Sequence, residues 1–376
     1  MTTQWSRDAV AQIACRPVAE LPLIDPASVT PVLPGFDLWD YWPVQEHDGR
    51  TATIVGGSLQ MLLSAPVLPD PEDRHAIARI RLMHQTAEGW HDLGNLLPEG
   101  FSPGSREWSG SAIVSAAHDE VTLYFTAAGH RGERIPSFDQ RLFETSATLS
   151  ISEGVARLSG WSPLVESVVA DGQVYARDMT GGGGIGTIKA FRDPAWLRDP
   201  ADGGEYLIFA ASLATSTSPW NGMVGCARRQ AGEWALCPPL ITADGVNNEL
   251  ERPHIVHHQG RYYCFWSTQR KVFAPDGPAG PTGLYGMFSE SIAGPWFPLN
   301  KTGLVFANPD AGPIQAYSWL VLGDLSVISF VDRPGLASDS GDIAIMRKHF
   351  GGTPALPISL WLSADGESGL RGPLNE

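Results

Sequence analysis

The chain predicts an all-β fold, a closed or layered arrangement of many short strands, and three observations predict it. Its 41 Gly and 30 Pro are spread over all 376 residues rather than gathered in one tail, which favours short elements joined by turns over long helices. Short alternating or apolar runs bounded by turn residues recur from one end to the other. Helical periodicity is confined to roughly Arg7–Ala14. Strands this numerous, with no amphipathic helices between them, point to a sandwich, a barrel or a radial propeller and disfavour a parallel α/β fold.

In chain order, the helical Arg7–Ala14 segment is followed by strand patterns over Thr53–Ala65, Ala76–His84, Ala112–Ala116 and Val121–Ala127. Leu142–Ile151 ends at a Ser-Glu-Gly turn, Tyr206–Ala211 follows Gly203-Gly204-Glu205, and Met223–Cys226 follows Gly222. His254–His257 and Tyr262–Ser267 come next. Leu284–Phe288, Trp319–Phe330 and Ile343–Arg347 complete the series. The Pro/Gly-rich Ala274–Gly283 stretch reads as a surface loop. No linker and no repeat of fixed period stands out, so residues 1–376 are expected to form one domain, with about 30 N-terminal residues as a leader or capping segment.

Composition excludes several partners. Lys and Arg number 26 against 41 Asp and Glu, a net charge of −15, and such a surface repels polyphosphate and anionic lipid. Neither nucleic acid nor membrane is an expected partner, and no span of about 20 apolar residues is present. The first residues, MTTQWSRDAVAQIACRPVAELPLID, lack a basic segment followed by an uninterrupted apolar run, so no Sec-type signal is visible. Cys15, Cys226, Cys237 and Cys264 are too few for a disulfide scaffold and lack zinc spacing. Cys226 and Cys237 flank a polar turn and are placed to face each other across a hairpin. Gly181–Gly184 with Lys189 lacks the Gly-Lys-Ser/Thr and following helix of a phosphate loop, so a plain loop is expected.

The chemistry points to carboxylates. Asp40 in DLWDYWPVQ, Asp193 in AFRDPAW, and Glu249 with Glu251 in NNELERPHIV each neighbour an aromatic or apolar residue and a turn-maker. Cleaving a glycosidic bond with retention needs one carboxylate to attack the anomeric carbon and one carboxylic acid to protonate the leaving oxygen, about 5–5.5 Å apart. Taken singly, an acid before proline is usually a turn residue and a Glu-Arg pair a surface ion pair. His254 and His257-His258 lack further ligands at metal spacing and read as strand residues. No Gly-x-Ser-x-Gly elbow supports a serine nucleophile.

Together, Asp37-Leu38-Trp39-Asp40-Tyr41-Trp42-Pro43, Glu107-Trp108-Ser109-Gly110-Ser111, Phe191-Arg192-Asp193-Pro194 and Glu249-Leu250-Glu251-Arg252-Pro253-His254, in this order, resemble glycoside hydrolase family 68. This is the levansucrase, inulosucrase and β-fructofuranosidase family, and the proteobacterial members are the most similar. The resemblance runs from about Leu38 to Tyr317. It implies a five-bladed β-propeller with an axial active-site pocket, and a retaining fructosyltransferase acting on sucrose without a cofactor. Fructosyl would pass from an aspartate to a sugar acceptor, giving fructo-oligosaccharide or levan, or to water.

By motif, the resemblance makes Asp40 the nucleophile, Asp193 the stabiliser of the fructosyl oxocarbenium and Glu251 the general acid/base. Glu251 then has to hold a proton near neutral pH while Asp40 stays ionised. Trp39 and Trp108 match aromatic walls, Ser109 a fructosyl hydroxyl partner and Arg192 a bridge between both sugars. Glu249 matches a sugar-binding glutamate on the glucosyl side; Arg252 and Tyr317 complete the substrate-binding set.

Two positions depart from the family pattern. Eighteen residues after the acid/base, where Arg or His is common, stands Gln269, followed by Arg270. Gln keeps hydrogen bonding and loses charge, which bears on the balance of transfer and hydrolysis. Where calcium-binding members carry an Asp before the Glu-x-Glu-Arg motif, this chain has Asn248, so calcium dependence is not expected. Export without a visible signal, with cytoplasmic location as the alternative, and a monomer or weak homo-oligomer complete the expectations. The competing functions are a predominantly hydrolytic invertase, a propeller hydrolase acting on arabinose or existing fructans, and a binding module that has lost catalysis.

Overall fold

A computed structural model describes residues 2–177, 182, 184 and 187–372. The chain opens on strand β1 (Thr3–Gln4) and helix α1 (Arg7–Ala11), whose N-cap Ser6 accepts the Ala9 N–H. A 3-10 turn over Gln12–Cys15 continues it, so the predicted Arg7–Ala14 helix is one short α segment and a tighter turn.

The remaining strands fall into five antiparallel blades arranged in chain order. The first is β2 (Phe36–Gln45), β3 (Ser58–Pro66), β4 (Arg79–Thr86) and β5 (Gly89–Asn95). The second is β6 (Arg106–Val114), β7 (Glu120–Ala128), β8 (Gln140–Ser152) and β9 (Val155–Ser159), with β10 (Val165–Glu166) also on β8. The third is β11 (Phe191–Arg198), β12 (Glu205–Ser212), β13 (Gly222–Gln230) and β14 (Glu233–Leu236), with β15 (Ile241–Thr242) beside β13. The fourth is β16 (Glu251–His258), β17 (Arg261–Thr268), β18 (Gly283–Ser289), β19 (Phe297–Pro298) and β20 (Leu304–Ala307). The fifth is β21 (Ala316–Val321), β22 (Ser326–Val331), β23 (Thr353–Pro354), β24 (Ile358–Leu362) and β25 (Ser368–Leu370). The arrangement is consistent with the five-bladed propeller the family resemblance implied.

The innermost strands β2, β6, β11, β16 and β21 stand round the axis, and β2 and β6 join directly through a short parallel pairing of Val44–Gln45 with Ala112–Ile113. Both faces of a blade are covered by its neighbours, which is why the strands read as near-continuous apolar runs. In β17 every residue after Arg261 is buried. The N-terminal segment ties two blades together. β1 adds to β15, and the buried Trp5 packs edge-on against Trp266 and Tyr285 while its indole N–H donates to Thr302 O at 2.9 Å.

Four sequence expectations change. Ile343–Arg347 is not a strand but lies in a second helix, α2 (Ile343–His349), because Asp342 caps it by accepting from Ala344 and Ile345 N–H and the last turn is basic. Trp319–Phe330 is two strands, β21 and β22, folded about Leu325 at positive φ. Ala76–His84 begins its strand only at Arg79, since Ala76 ends a 3-10 turn, Pro71–Ala76, N-capped by Asp70. Phe191-Arg192-Asp193-Pro194, expected as an Asp-Pro turn, is the start of inner strand β11. Cys226 and Cys237 do lie side by side across the β13–β14 hairpin, with Cys237 N–H donating to Cys226 O at 2.9 Å, and both thiols are free. Gly181 and Gly183 of the glycine run lie outside the described residues. Among the described residues no helix is long and apolar enough to cross a membrane.

Candidate active site

All five innermost strands break their ladder once, and they break it where the chemistry-bearing residues sit. The shifts fall between Trp39 and Tyr41, Trp108 and Gly110, Arg192 and Ala195, Glu251 and His254, and Tyr317 and Leu320. A bulge re-aims the side chain it carries, here Asp40, Ser109, Asp193, Arg252 and Ser318. Asp193, Arg252 and Ser318 also hold positive φ of 61°, 49° and 62°, a conformation that costs a non-glycine residue about 1–3 kcal/mol and persists where the surroundings over-determine it. Gly110 follows one bulge because a Cβ there would meet Tyr124 O at 1.8 Å.

The side chains converge. Ser109 Oγ donates to Asp40 Oδ2 at 2.8 Å, joining the first two blades. Arg192 Nη2 reaches Glu251 Oε1 at 3.1 Å and Glu249 Oε2 at 3.5 Å, while its Nε lies 3.7 Å from Asp193 Oδ2. Asp193 Oδ2 also accepts the Arg252 backbone N–H at 3.2 Å, and Asp193 N–H donates to Thr126 Oγ1 at 2.9 Å. Tyr317 donates its hydroxyl to Glu251 Oε2. Glu251 is the most open of the three acids that Arg192 contacts, with 21% of its side chain exposed against 12% for Glu249 and 8% for Asp193. Of the three, Glu251 is therefore the one a ligand reaches most readily.

Gathering the acids makes charge expensive. Burial, Glu251 and Asp40 push the Asp193 carboxyl up to about 7, with Arg192 and Arg252 opposing. Burial first, then Glu251, pushes Glu249 up to about 7 against the pull of Arg192. Burial works against the Arg192 charge, but Glu251, Asp193 and Glu249 together hold that guanidinium above its ordinary value. Burial and the acids Glu251, Glu249 and Asp40 push the Tyr317 hydroxyl well up, so it remains a donor.

Several predicted residues sit at the edges of this cluster. Trp39 is 2% exposed and lies beneath a rim formed by His75, edge-on at 5.7 Å, and the Arg74 guanidinium at 5.4 Å. Trp108 keeps an exposed face and has the Arg106 guanidinium at 5.3 Å. Arg252, expected to bind substrate, directs its guanidinium to protein oxygens instead: Ser318 O and Oγ at 3.0 Å and Tyr41 O at 2.8 Å. It clamps the first, fourth and fifth blades. Gln269 lies two residues beyond Ser267, the ladder partner of Glu251, at the same end of the fourth blade and half-buried. Glu107, within the second motif, is buried and bonds Arg79 at 2.9 Å and Ile80 N–H at 2.8 Å, a structural link between blades.

His254 behaves as a core residue. Its Nε2 accepts the Val321 N–H at 2.8 Å, which leaves the proton on Nδ1 to donate to Arg252 O at 2.9 Å. Among the described residues no three His, Cys, Asp or Glu side chains gather as a metal site. The sequence reading missed Thr126, Ser318 and Gln140; Gln140 Oε1 accepts the Phe191 N–H at 3.0 Å and lies 3.5 Å from Arg192 Nη1. No local signal marks them, since each reaches the site from another blade.

Four carboxyls and two arginines at one end of a propeller axis form a site suited to glycosidic-bond chemistry. The chain belongs to the levansucrase/invertase family, glycoside hydrolase family 68, whose model matches residues 1–221 and 219–366. It is 30% identical to a levansucrase of Rahnella aquatilis and 31% identical to one of Pseudomonas savastanoi pv. glycinea, covering 96% of this chain and 93% of each relative. Among solved structures, an inulosucrase from Halalkalicoccus jeotgali bound to kestose is 33% identical with a TM-score of 0.89, over 100% of this chain and 97% of that one.

Proposed function

We propose that the protein is a retaining fructosyltransferase that cleaves sucrose, with Asp40 as nucleophile and Glu251 as general acid/base. Asp40 Oδ attacks the anomeric carbon of the fructosyl unit, the bond to the glucosyl oxygen breaks, and that oxygen takes the proton held by Glu251. Glucose leaves and a fructosyl ester on Asp40 remains. Glu251, now ionised, removes a proton from an acceptor hydroxyl or from water as that oxygen attacks the same carbon and releases Asp40.

The neighbouring groups divide the remaining work. The Ser109 hydroxyl holds Asp40 by its Oδ2 and leaves the other oxygen for attack. Arg192 and Tyr317 fix Glu251 from two sides. Asp193 stabilises the oxocarbenium by hydrogen-bonding ring hydroxyls, and Glu249 engages the glucosyl unit. Arg252 acts as a positioning residue through Asp193 and Ser318. Acceptors enter past Gln269, so the products are fructo-oligosaccharide or fructan where a sugar wins and fructose where water wins.

The observation that carries this reading is that Asp40, Asp193 and Glu251, from three different inner strands, lie close enough for the first and last to act on the Asp193 carboxyl, with Arg192 contacting both Asp193 and Glu251, in a chain of this family. A sucrose time course tests it. Glucose release is expected, with free fructose falling below glucose in proportion to transfer. Equal amounts of both sugars would make the enzyme hydrolytic, and release of neither would remove the assignment.

A further inference from the structure

Lys189 lies two residues before β11 and belongs to none of the family motifs quoted above. Its ammonium donates to Pro219 O at 2.6 Å and Asn221 Oδ1 at 2.9 Å in one loop and to Asn248 Oδ1 at 3.1 Å in another. Both amides are buried, and both are held at their other end. Asn221 Nδ2 donates to Leu213 O at 2.8 Å, and Asn248 Nδ2 donates to Ile188 O at 2.9 Å.

An ammonium only donates, so it fixes which end of each amide it faces. With its oxygen toward Lys189, Asn248 must present its NH₂ group to Glu249, whose Oε1 lies 3.4 Å away. Turned the other way, the amide would set an oxygen against that carboxyl. The backbone of the same lysine is tied to the site as well. Its carbonyl accepts from Gln140 Nε2 at 2.7 Å, and Gln140 Oε1 supports Phe191 N–H and faces Arg192.

We propose that Lys189 is a positioning residue for the donor sugar: its ammonium orients the Asn248 amide so that Glu249 is held in place beside Arg192. The inference rests on the reading of Glu249 as the residue that engages the glucosyl unit. It accounts for the charge of the cluster, where Asp40, Asp193, Glu249 and Glu251 outnumber the guanidiniums of Arg192 and Arg252. Burial draws the Lys189 ammonium below its ordinary value and Glu249 draws it back up, so the two charges sense each other. Glu249 is already pushed up to about 7 by burial and Glu251. Loss of the cation and of the oriented NH₂ group moves it further in the same direction.

The test uses the full chain with sucrose. Lys189→Met is expected to raise KM about tenfold with kcat within about threefold of wild type, and to move the acidic limb of kcat/KM upward by about half a pH unit or more. Lys189→Cys should show the same defect, and aminoethylation of the new thiol should restore KM, with treated wild type as control for the native cysteines. Unchanged KM and pH limb in folded Lys189→Met, or no recovery after aminoethylation verified by mass, overturns the proposal. If Lys189→Met does not fold, Asn248→Ala must give the same KM rise and pH shift; unaltered values overturn it equally. Glu249→Ala separates the two layers: a raised KM there with normal Lys189→Met kinetics sinks the lysine alone. A normal KM in Glu249→Ala sinks the reading beneath it.

Discussion

The innermost strands and the strands just outside them obey different rules. The pairings β3–β4, β7–β8, β12–β13 and β17–β18 run without a break in register. Each inner strand is interrupted once, and three of the interruptions hold a non-glycine residue at positive φ. The middle layer buries residues such as Leu123, Leu207 and Phe265 completely and supplies the stability. The inner layer uses some of that stability to hold carboxyls close together in a conformation the ladder alone would not give. Rigidity and reactivity are thus separated by one strand spacing, about 5 Å.

The largest effect should come from breaking the inner layer chemically and the middle layer physically. Asp40→Asn is nearly isosteric and removes the nucleophile, so kcat should fall by about 10⁴-fold or more with the melting temperature kept or raised. Leu123→Ala in β7 opens a cavity in a fully buried site, so unfolding free energy should drop by about 2–5 kcal/mol while KM of the folded enzyme stays near wild type. Steady-state kinetics and calorimetry on the two variants check this. An Asp40→Asn enzyme that turns over at wild-type rate, or a Leu123→Ala enzyme whose loss is purely in KM, would erase the division.

This separation also explains what could be read in advance. Asp40, Asp193, Glu249 and Glu251 were legible because each lies in a short motif whose order matches the family. The strands that carry them were legible only in part: His254–His257 of β16 was read as a strand, β2 and β11 were not. Pro43, Pro194 and Pro253 lie within β2, β11 and β16 and break the strand signal. They are tolerated because an inner strand has a ladder on one side and the axis on the other, so a missing N–H can face the open edge. Phe191-Arg192-Asp193-Pro194 read as a turn for that reason. Ile343–Arg347 failed differently, since a short apolar run carries no period that separates strand from helix. Thr126, Gln140 and Ser318 were invisible because ring closure brings them in from distant sequence; Gln140 and Arg192 are 52 residues apart.

A smaller effect probes the cost of crowding the acids. Glu249 stands at about 7 in the folded protein, above its ordinary value near 4.5. Between those two pH values the folded chain binds more protons at this group than the unfolded chain, so its contribution to stability falls as pH rises and is fully lost above about 7. Asp193, raised from 3.8 to about 7, acts in the same sense. Glu249→Gln should therefore melt a few degrees above wild type at pH 7.5, and the gain should shrink toward zero as pH falls below about 4.5. Calorimetry across that range measures it; an offset that does not change with pH would mean that Glu249 is not the group under strain.

The smallest effect concerns the rim, where the two layers meet the acceptor. Gln269 sits at the start of a 3-10 turn, Arg270–Val272, its carbonyl accepting the Val272 N–H at 3.2 Å, and its side chain makes no capping bond. Lys271 beside it pairs with Asp339 at 2.8 Å, and the Gln269 amide is left to meet an acceptor. Partition between a sugar and water depends on a difference in transition-state contacts that one rim side chain changes by about 1 kcal/mol. Gln269→Ala should lower the ratio of transferred to free fructose by about two- to fivefold, and Gln269→Arg should raise it by a similar factor, with glucose release little altered in either. The ratio is read from glucose and fructose at several sucrose concentrations. If both variants keep the wild-type ratio at every concentration, acceptor choice is made deeper in the site, among the inner strands themselves.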